Sequence, residues 1–352
     1  MEDQEAQLAK QLLSSGLEVS KILENFVKPV FIKHSKVQNA KLSSGKQIKK
    51  RVLDFEDMND SWRGEVMHAT SILQWCISQT KPSEIEPLLG LIIPPILSLI
   101  DDYDVKLKIR GVSILEHLLK LVGSKTFQHS GLGEVFYEAL SKCLTYLDET
   151  SYVTLIRVSF SSIISLVSLI EPLEAESRYI KYEKILSDIV VKGLTFSGDK
   201  LAIRRVLLEQ IPRICEELGI VTVKYLQDLI QALCATLEIL IISNNEETLG
   251  LHISAAKGLE MIITKCWPRI TQHEGQILKS VANSWYHINQ LEQNDIETLN
   301  EYFKKDIGLL KTTLQKICYL LKLACKNNIV FEKDIQALRS LDKMFEILLK
   351  DL

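Results

Sequence analysis

The residues best suited to chemistry in this chain of 352 are seven cysteines, seven histidines and a turn-like cluster, Asp101-Asp102-Tyr103-Asp104. A thiolate or an imidazole becomes a nucleophile, a base or a metal ligand only where further groups converge on it. The spacing offers no such convergence. Cys76, Cys143, Cys215, Cys234, Cys266, Cys318 and Cys325 are scattered, most of them inside apolar runs, with no Cys-x-x-Cys. They read as small buried hydrophobes of a reducing compartment. The histidines are isolated: His68 and Cys76 fit one helix face eight residues apart, but two ligands without a third read as packing residues. The aspartate cluster lacks the glycine and terminal glutamate of a calcium loop. Ser43-Ser44-Gly45-Lys46 lacks the first glycine and closing hydroxyl of a phosphate loop, and Gly131-Leu132-Gly133 lacks a third glycine and a preceding strand, so it opens a helix. There is no Gly-x-Ser-x-Gly elbow either. The expectation is a non-enzyme, with no cofactor and no metal.

The elements that would carry these residues are helical. Hydrophobic residues make up 46% and charged residues 25%, while 15 Gly and 8 Pro are too few for the turns of a strand-rich fold this size, which predicts an all-α chain. A net charge of -3 creates no global field toward nucleic acid or a membrane. The charge-free stretches Pro87–Ile100 and Val158–Ile170 fall short of the roughly 18 residues of a bilayer span. The beginning, MEDQEAQLAKQ, is acidic and shows no secretory or transit pattern, which points to cytoplasm and nucleus.

A doublet returns every 47 or 48 residues: Trp62-Arg63, Ile109-Arg110, Ile156-Arg157, Ile203-Arg204 and Leu251-His252, each opening an apolar helical run and expected to mark the start of the second helix of its hairpin. A period of that length means stacked helical hairpins whose core is shared between neighbours. The best hairpin is Glu84–Val122. Its first helix keeps three-and-four spacing through Leu88, Leu91, Ile92, Pro95, Ile96 and Leu99; after the aspartate turn, the second runs from Val105 to a C-cap at Gly123. An apolar helix, an Asp-rich turn and a helix opening on hydrophobe-Arg resemble the HEAT repeat. The predicted fold is therefore an α-solenoid of HEAT-like hairpins with a period of about 47 residues.

On that plan residues 1–57 form N-terminal helices with a basic flexible segment at 28–53, residues 58–325 the solenoid, and residues 326–352 a capping helix. Arg63, Arg110, Arg157 and Arg204 hold the repeat register, Asp101 or Asp102 pairs with Arg63 or Arg157, and Gly64 and Gly111 let helix backbones approach. Pro212 is expected to kink its helix, Trp267-Pro268 to stop the helix from Thr248, and the run Ile296–Cys325 to continue as helix. The segment Val27–Leu53 carries eight basic residues and no acid, leaving about -11 on the remainder. It reads first as a solvated loop. Its second reading is a docking strip for an acidic protein, with Lys46, Lys49, Lys50 and Arg51 as candidates, and nucleic acid comes last because only Phe31 offers an aromatic platform. At the other end the apolar residues exceed one amphipathic stripe. Either Phe331–Leu349 covers them, or a partner docks on Trp285, Leu310 and Leu314.

The stretch IIPPILSLIDDYDVKLKIRGVSILEHLLKLV, followed by SGLGEVFYEALSKCLTYL, resembles the core of the Tel-two-interacting protein two family. The likeness covers about Ile92 to Leu147; where the family often has proline after Tyr-Leu, this sequence has Asp148. The resemblance implies a non-catalytic subunit of the Triple T cochaperone complex. Its partners would be the Tel-two protein and the first Tel-two-interacting protein, acting with heat-shock chaperones on phosphatidylinositol-3-kinase-related kinases, with no direct nucleic acid and no membrane. The competing expectation is a generic HEAT adaptor for transport or phosphatase assembly.

Overall fold

The computed structural model describes residues 18–33, 53–198, 200–295, 299–326 and 328–350, with the side chains of 53–62, 129 and 295 left aside. The basic segment 34–52, with Lys46, Lys49, Lys50 and Arg51, lies outside the described residues, as do residues 1–17, Asp199 and Ile296. Every regular element among the described residues is a helix. The chain divides into two compact units, Met1–Tyr146 with Thr154–Ala175, and Leu147–Val153 with Glu176–Leu352.

In the first unit, α1 (residues 19–33) contains a π-helical turn at Leu23–Val27 and packs on α2 (Leu53–Gln79). Then come α3 (Leu89–Ile100) and α4 (Val105–Leu121), the hairpin that the spacing predicts. α3 holds Pro94 and Pro95 in its interior, and each removes one backbone donor from the ladder. Asp104 is the N-cap of α4, its carboxylate accepting from Lys106 N at 2.8 Å. Gly111 fixes the closeness of the pair: a Cβ there would sit 2.7 Å from Leu99 Cβ and 3.0 Å from the backbone N of Ile100. Gly64 does not share that role, since nothing lies within 4 Å of the corresponding point.

The expected C-cap at Gly123 is corrected: α4 ends at Leu121 with Val122 as its cap. Gly123 has φ -69° and precedes a short helix, α5 (Ser124–Ser130), that the periodicity does not predict. The left-handed residue is Gly131, at φ 71°, where the chain turns from α5 into α6 (Leu132–Cys143). The unit closes with α7 (Val153–Ile170), whose Ile170 packs 3.0 Å from the point where a Gly133 Cβ would stand. Ser161 Oγ donates to Glu116 of α4 at 3.0 Å.

The second unit begins with α8 (residues 176–196), which carries a π-helical stretch at Ile185–Val191. Gly198, at φ 51°, turns the chain toward α9 (Leu201–Leu218), a helix that runs through Pro212. A 3-10 segment, Gly219–Tyr225, leads to α10 (Leu226–Leu237). α11 (Glu246–Ile270) is the central element, packed against both α9 and α13 and burying fifteen residues. Asn245 caps it, accepting from Glu247 N at 3.0 Å and Thr248 N at 3.2 Å, and Glu246 and Glu247 occupy the positive end of its dipole. The regular helix from Glu246 is interrupted at Cys266, directly before Trp267-Pro268, where the sequence places its stop. Cys266 has non-helical angles (φ -117°, ψ 20°), and a further helical turn beyond Pro268 runs to Ile270.

α12 (Glu274–Asp295) follows, then α13 (Glu301–Ala324), which starts five residues later than Ile296 because Asn300 caps it, accepting from Phe303 N at 2.7 Å. The expected final helix is two helices, α14 (Ile329–Leu341) and α15 (Lys343–Leu348). Asp342 separates them: its extended backbone ends one, and its carboxylate accepts from Met344 N at 2.9 Å to start the next.

Candidate functional site

The seven thiols are all buried and free. Burial pushes Cys76, Cys215, Cys318 and Cys325 up to about 12, and Cys234 and Cys266 up to about 11. Cys143 is raised in the same way, against the opposing charge of Lys108. Thiols so far from ionisation are neither nucleophiles nor ready metal ligands. Among the described residues no three of His, Cys, Asp and Glu converge in a metal-holding group.

Among the described residues, His252 is the one strongly perturbed imidazole. Burial lowers its pKa to about 4, the Ile239 carbonyl acts the other way, and His287 adds to the lowering. The ring nitrogens lie 2.7 Å from Ser284 Oγ and 2.8 Å from Ile239 O. A neutral ring satisfies both with Nε2–H donating to the carbonyl and Nδ1 accepting from the hydroxyl. It thereby ties α11 to α12 and to the chain after α10, which is a structural task.

The register residues sit as follows. Arg110, Arg157 and Arg204 are the sixth, fifth and fourth residues of α4, α7 and α9, and His252 the seventh of α11, whereas Arg63 lies eleven residues into α2. Arg110 Nη1 donates to Gln74 Oε1 on α2 at 3.1 Å. Arg204 reaches the end of α10 by two bonds, Nε to Thr236 Oγ1 at 3.1 Å and Nη2 to Ala232 O at 3.2 Å, and burial lowers its pKa. Arg157 is exposed at the start of α7. Arg63 meets the aspartate turn through Tyr103: Nη2 donates to Oη at 3.0 Å, and the guanidinium stands 5.7 Å from the ring centroid. Asp102 is buried and accepts from Asp104 N at 2.7 Å, while Asp101 closes the end of α3 by donating its N–H to Leu97 O at 3.0 Å.

Two buried cations escape a reading by spacing. Lys108 Nζ donates to Ile100 O at 2.8 Å and stands 5.2 Å over the Tyr146 ring, so the buried C-terminal end of α3 is closed by a lysine two residues before the expected arginine. Arg178, 4% exposed, pairs with Glu217 at 2.7 Å. Lys108 falls in the Lys-x-Arg run that the family likeness rests on, a signal that was visible; Arg178 has no sequence signal.

Trp285, Leu310 and Leu314 are removed from the candidate docking surface, because all three are buried by the chain itself. Trp285 Nε1 donates to Met344 O at 2.9 Å, so α15 covers it. What remains exposed nearby is the other face of α13, where Tyr302, Leu309, Tyr319 and Leu323 are turned outward. Among the described residues the arrangement offers packed helices and open apolar faces, and no three metal-binding side chains converge.

A sequence model described as the Tti2 family matches residues 2–243. Proteins named TELO2-interacting protein 2 from Rattus norvegicus and Mus musculus are each 25% identical over 213 residues, which is 60% of this chain and 40% of theirs. The Homo sapiens protein of that name is 24% identical over 227 residues, 63% of this chain and 42% of its own. The chain thus spans about two-fifths of the length of the curated relatives it matches. No solved structure matches it.

Proposed function

The chain belongs to the Tti2 family, and we propose from that premise that it is a non-catalytic scaffold subunit of a Triple T-type cochaperone complex. In this role it binds a Tel-two protein and a first Tel-two-interacting protein, and with heat-shock chaperones supports the folding and assembly of phosphatidylinositol-3-kinase-related kinases in cytoplasm and nucleus. The observation that carries the reading is the family match over 2–243, joined to relatives whose printed name is TELO2-interacting protein 2. Its chemistry is consistent with the residues: thiols held protonated and a histidine engaged in structural bonds suit a binding protein rather than a catalyst.

The proposed architecture is an α-solenoid of HEAT-like hairpins repeating at about 47 residues. Supporting it are the near-equal positions of Arg110, Arg157 and Arg204 within α4, α7 and α9, and the α3–α4 hairpin closed at Gly111. Coexpression tests the role. The tagged chain is expected to retain the Tel-two protein and the first Tel-two-interacting protein of its own organism through purification, and its depletion is expected to lower the abundance of the kinases. A chain that retains neither partner, with kinase levels unchanged on depletion, overturns the proposal in favour of a generic HEAT adaptor.

A further inference from the structure

Among the described residues, α13 packs one face against its unit and leaves the other, with four large apolar side chains, uncovered. The inner face is occupied: Phe303, Ile307, Leu310, Leu314, Ile317 and Leu321 are buried against the rest of its unit. On the outer face, Tyr302, Leu309, Lys316 and Leu323 recur at intervals of seven residues, with Lys305, Thr312 and Tyr319 three residues behind the first three, so that the apolar members are Tyr302, Leu309, Tyr319 and Leu323. All seven are exposed, Tyr302 by 80% and Leu323 by 55%. A seven-residue repeat is the spacing at which one helix lies along another, and this one extends over about 32 Å at 1.5 Å per residue. Beside Leu309 sits Gly308, exposed, with nothing within 4 Å of where its Cβ would be. A mid-helix glycine weakens the helix, and no contact among the described residues makes use of the missing side chain. A close approach from outside would use it.

Charge identifies the visitor. The stretch 301–326 holds six lysines and two acids, Glu301 and Asp306. Lys304 is paired with Glu301, Lys311 with Glu292 and Lys316 with Glu260. Lys305, Lys322 and Lys326 have no carboxylate partner among the described residues, which leaves an excess of positive charge over Asp306 along α13 and the two residues after it. A second copy of this face would bring lysine against lysine. We propose that the outer face of α13 is the docking site for an amphipathic helix of a partner protein, apolar along its seam and flanked by carboxylates. The identity of the partner rests on the subunit role proposed above; the chemistry of the face does not.

The test uses the full chain and two synthetic helices with one leucine seam, flanked by glutamates in one and by lysines in the other, with binding read by fluorescence anisotropy. The glutamate-flanked helix is expected to bind about tenfold more tightly or better, and to lose binding to Leu309→Glu combined with Leu323→Glu. Leu173→Glu, at an exposed apolar position of the first unit, controls for a general charge effect. Gly308→Leu is expected to raise the melting temperature while weakening docking, a combination that a purely structural role for this position would not produce. Equal binding of both helices, or unchanged binding by the double variant at unchanged melting temperature, overturns the assignment. In coexpression, loss of the Tel-two partners by the double variant but not by Leu173→Glu supports the face as their site, and retention by the double variant overturns it. If the unsubstituted chain retains neither partner yet still selects the glutamate-flanked helix, the subunit role fails and the docking face stands.

Discussion

His252 sets an acid limit on the stability of the second unit. Its imidazole is held at about 4 in the fold against an ordinary 6.5, with burial the main cause. Between those values the unfolded chain binds a proton that the folded chain refuses, so this contribution is complete above pH 6.5 and is lost as the pH falls toward 4. At 1.36 kcal/mol per unit the loss amounts to about 3 kcal/mol at most. Denaturant titrations at pH about 7.5 and about 4.5 are expected to show a smaller pH-dependent drop for His252→Gln than for the native chain, although the variant starts less stable; equal drops would remove His252 as the cause. The thiols yield a second expectation. With all seven buried and six pushed up to about 11 or 12, a thiol reagent at neutral pH is expected to titrate almost none in the native chain and all seven in denaturant. Rapid native labelling would show that the helices open on the time scale of the reaction.

Among the elements, the α3–α4 hairpin is held by the closest backbone approach at any described glycine that opposes backbone as well as side chain. Gly111→Ala places a methyl 2.7 Å from Leu99 Cβ and 3.0 Å from Ile100 N. Neither neighbour is the free end of a flexible side chain, so the two helices must part, at a cost of about 1 to 3 kcal/mol. Gly64→Ala meets nothing within 4 Å and is expected to stabilise by about 1 kcal/mol through helix propensity. Thermal melts of the two variants should move in opposite directions. This hairpin was legible in the sequence because its signals are local: three-and-four spacing, an aspartate turn and a cap at Asp104. The π-helical turns at Leu23–Val27 and Ile185–Val191, the short helix Ser124–Ser130 and the break at Asp342 were not, since each answers to packing or to one capping bond rather than to a period. The docking residues failed for the same reason. Trp285, Leu310 and Leu314 carry an apolar signal in the sequence, but only α15 and the rest of their unit determine that they face inward.

For the molecule as a whole, the question is which solvent its apolar helices were built for. Two stretches among the described residues, Thr150–Ile170 and Leu201–Leu237, are long and apolar enough to cross a bilayer, more than the charge-free runs of the sequence suggested. The second spans α9 and α10, with Pro212 inside it, Gly219 at φ 54° between the helices and Arg204, Arg205, Arg213, Glu216 and Glu217 along it. Those charges and that break suit a water-facing helical hairpin poorly matched to hydrocarbon. The first contains α7, and ten of its residues are buried by the chain, Leu155, Ile156, Phe160, Ile163, Leu166 and Val167 among them. Exposing that face to lipid would require giving up the contacts with Glu116, Gly133 and Gln128 that now hold the helix in its unit. Lipid offers no compensating hydrophobic gain for side chains already out of water. The full chain is therefore expected to stay at the bottom of a density gradient when neutral or anionic vesicles float, and to enter the aqueous phase on detergent phase separation. Flotation that persists at high salt would show α7 leaving its core for the bilayer and would set aside a protein-binding role built on the folded units.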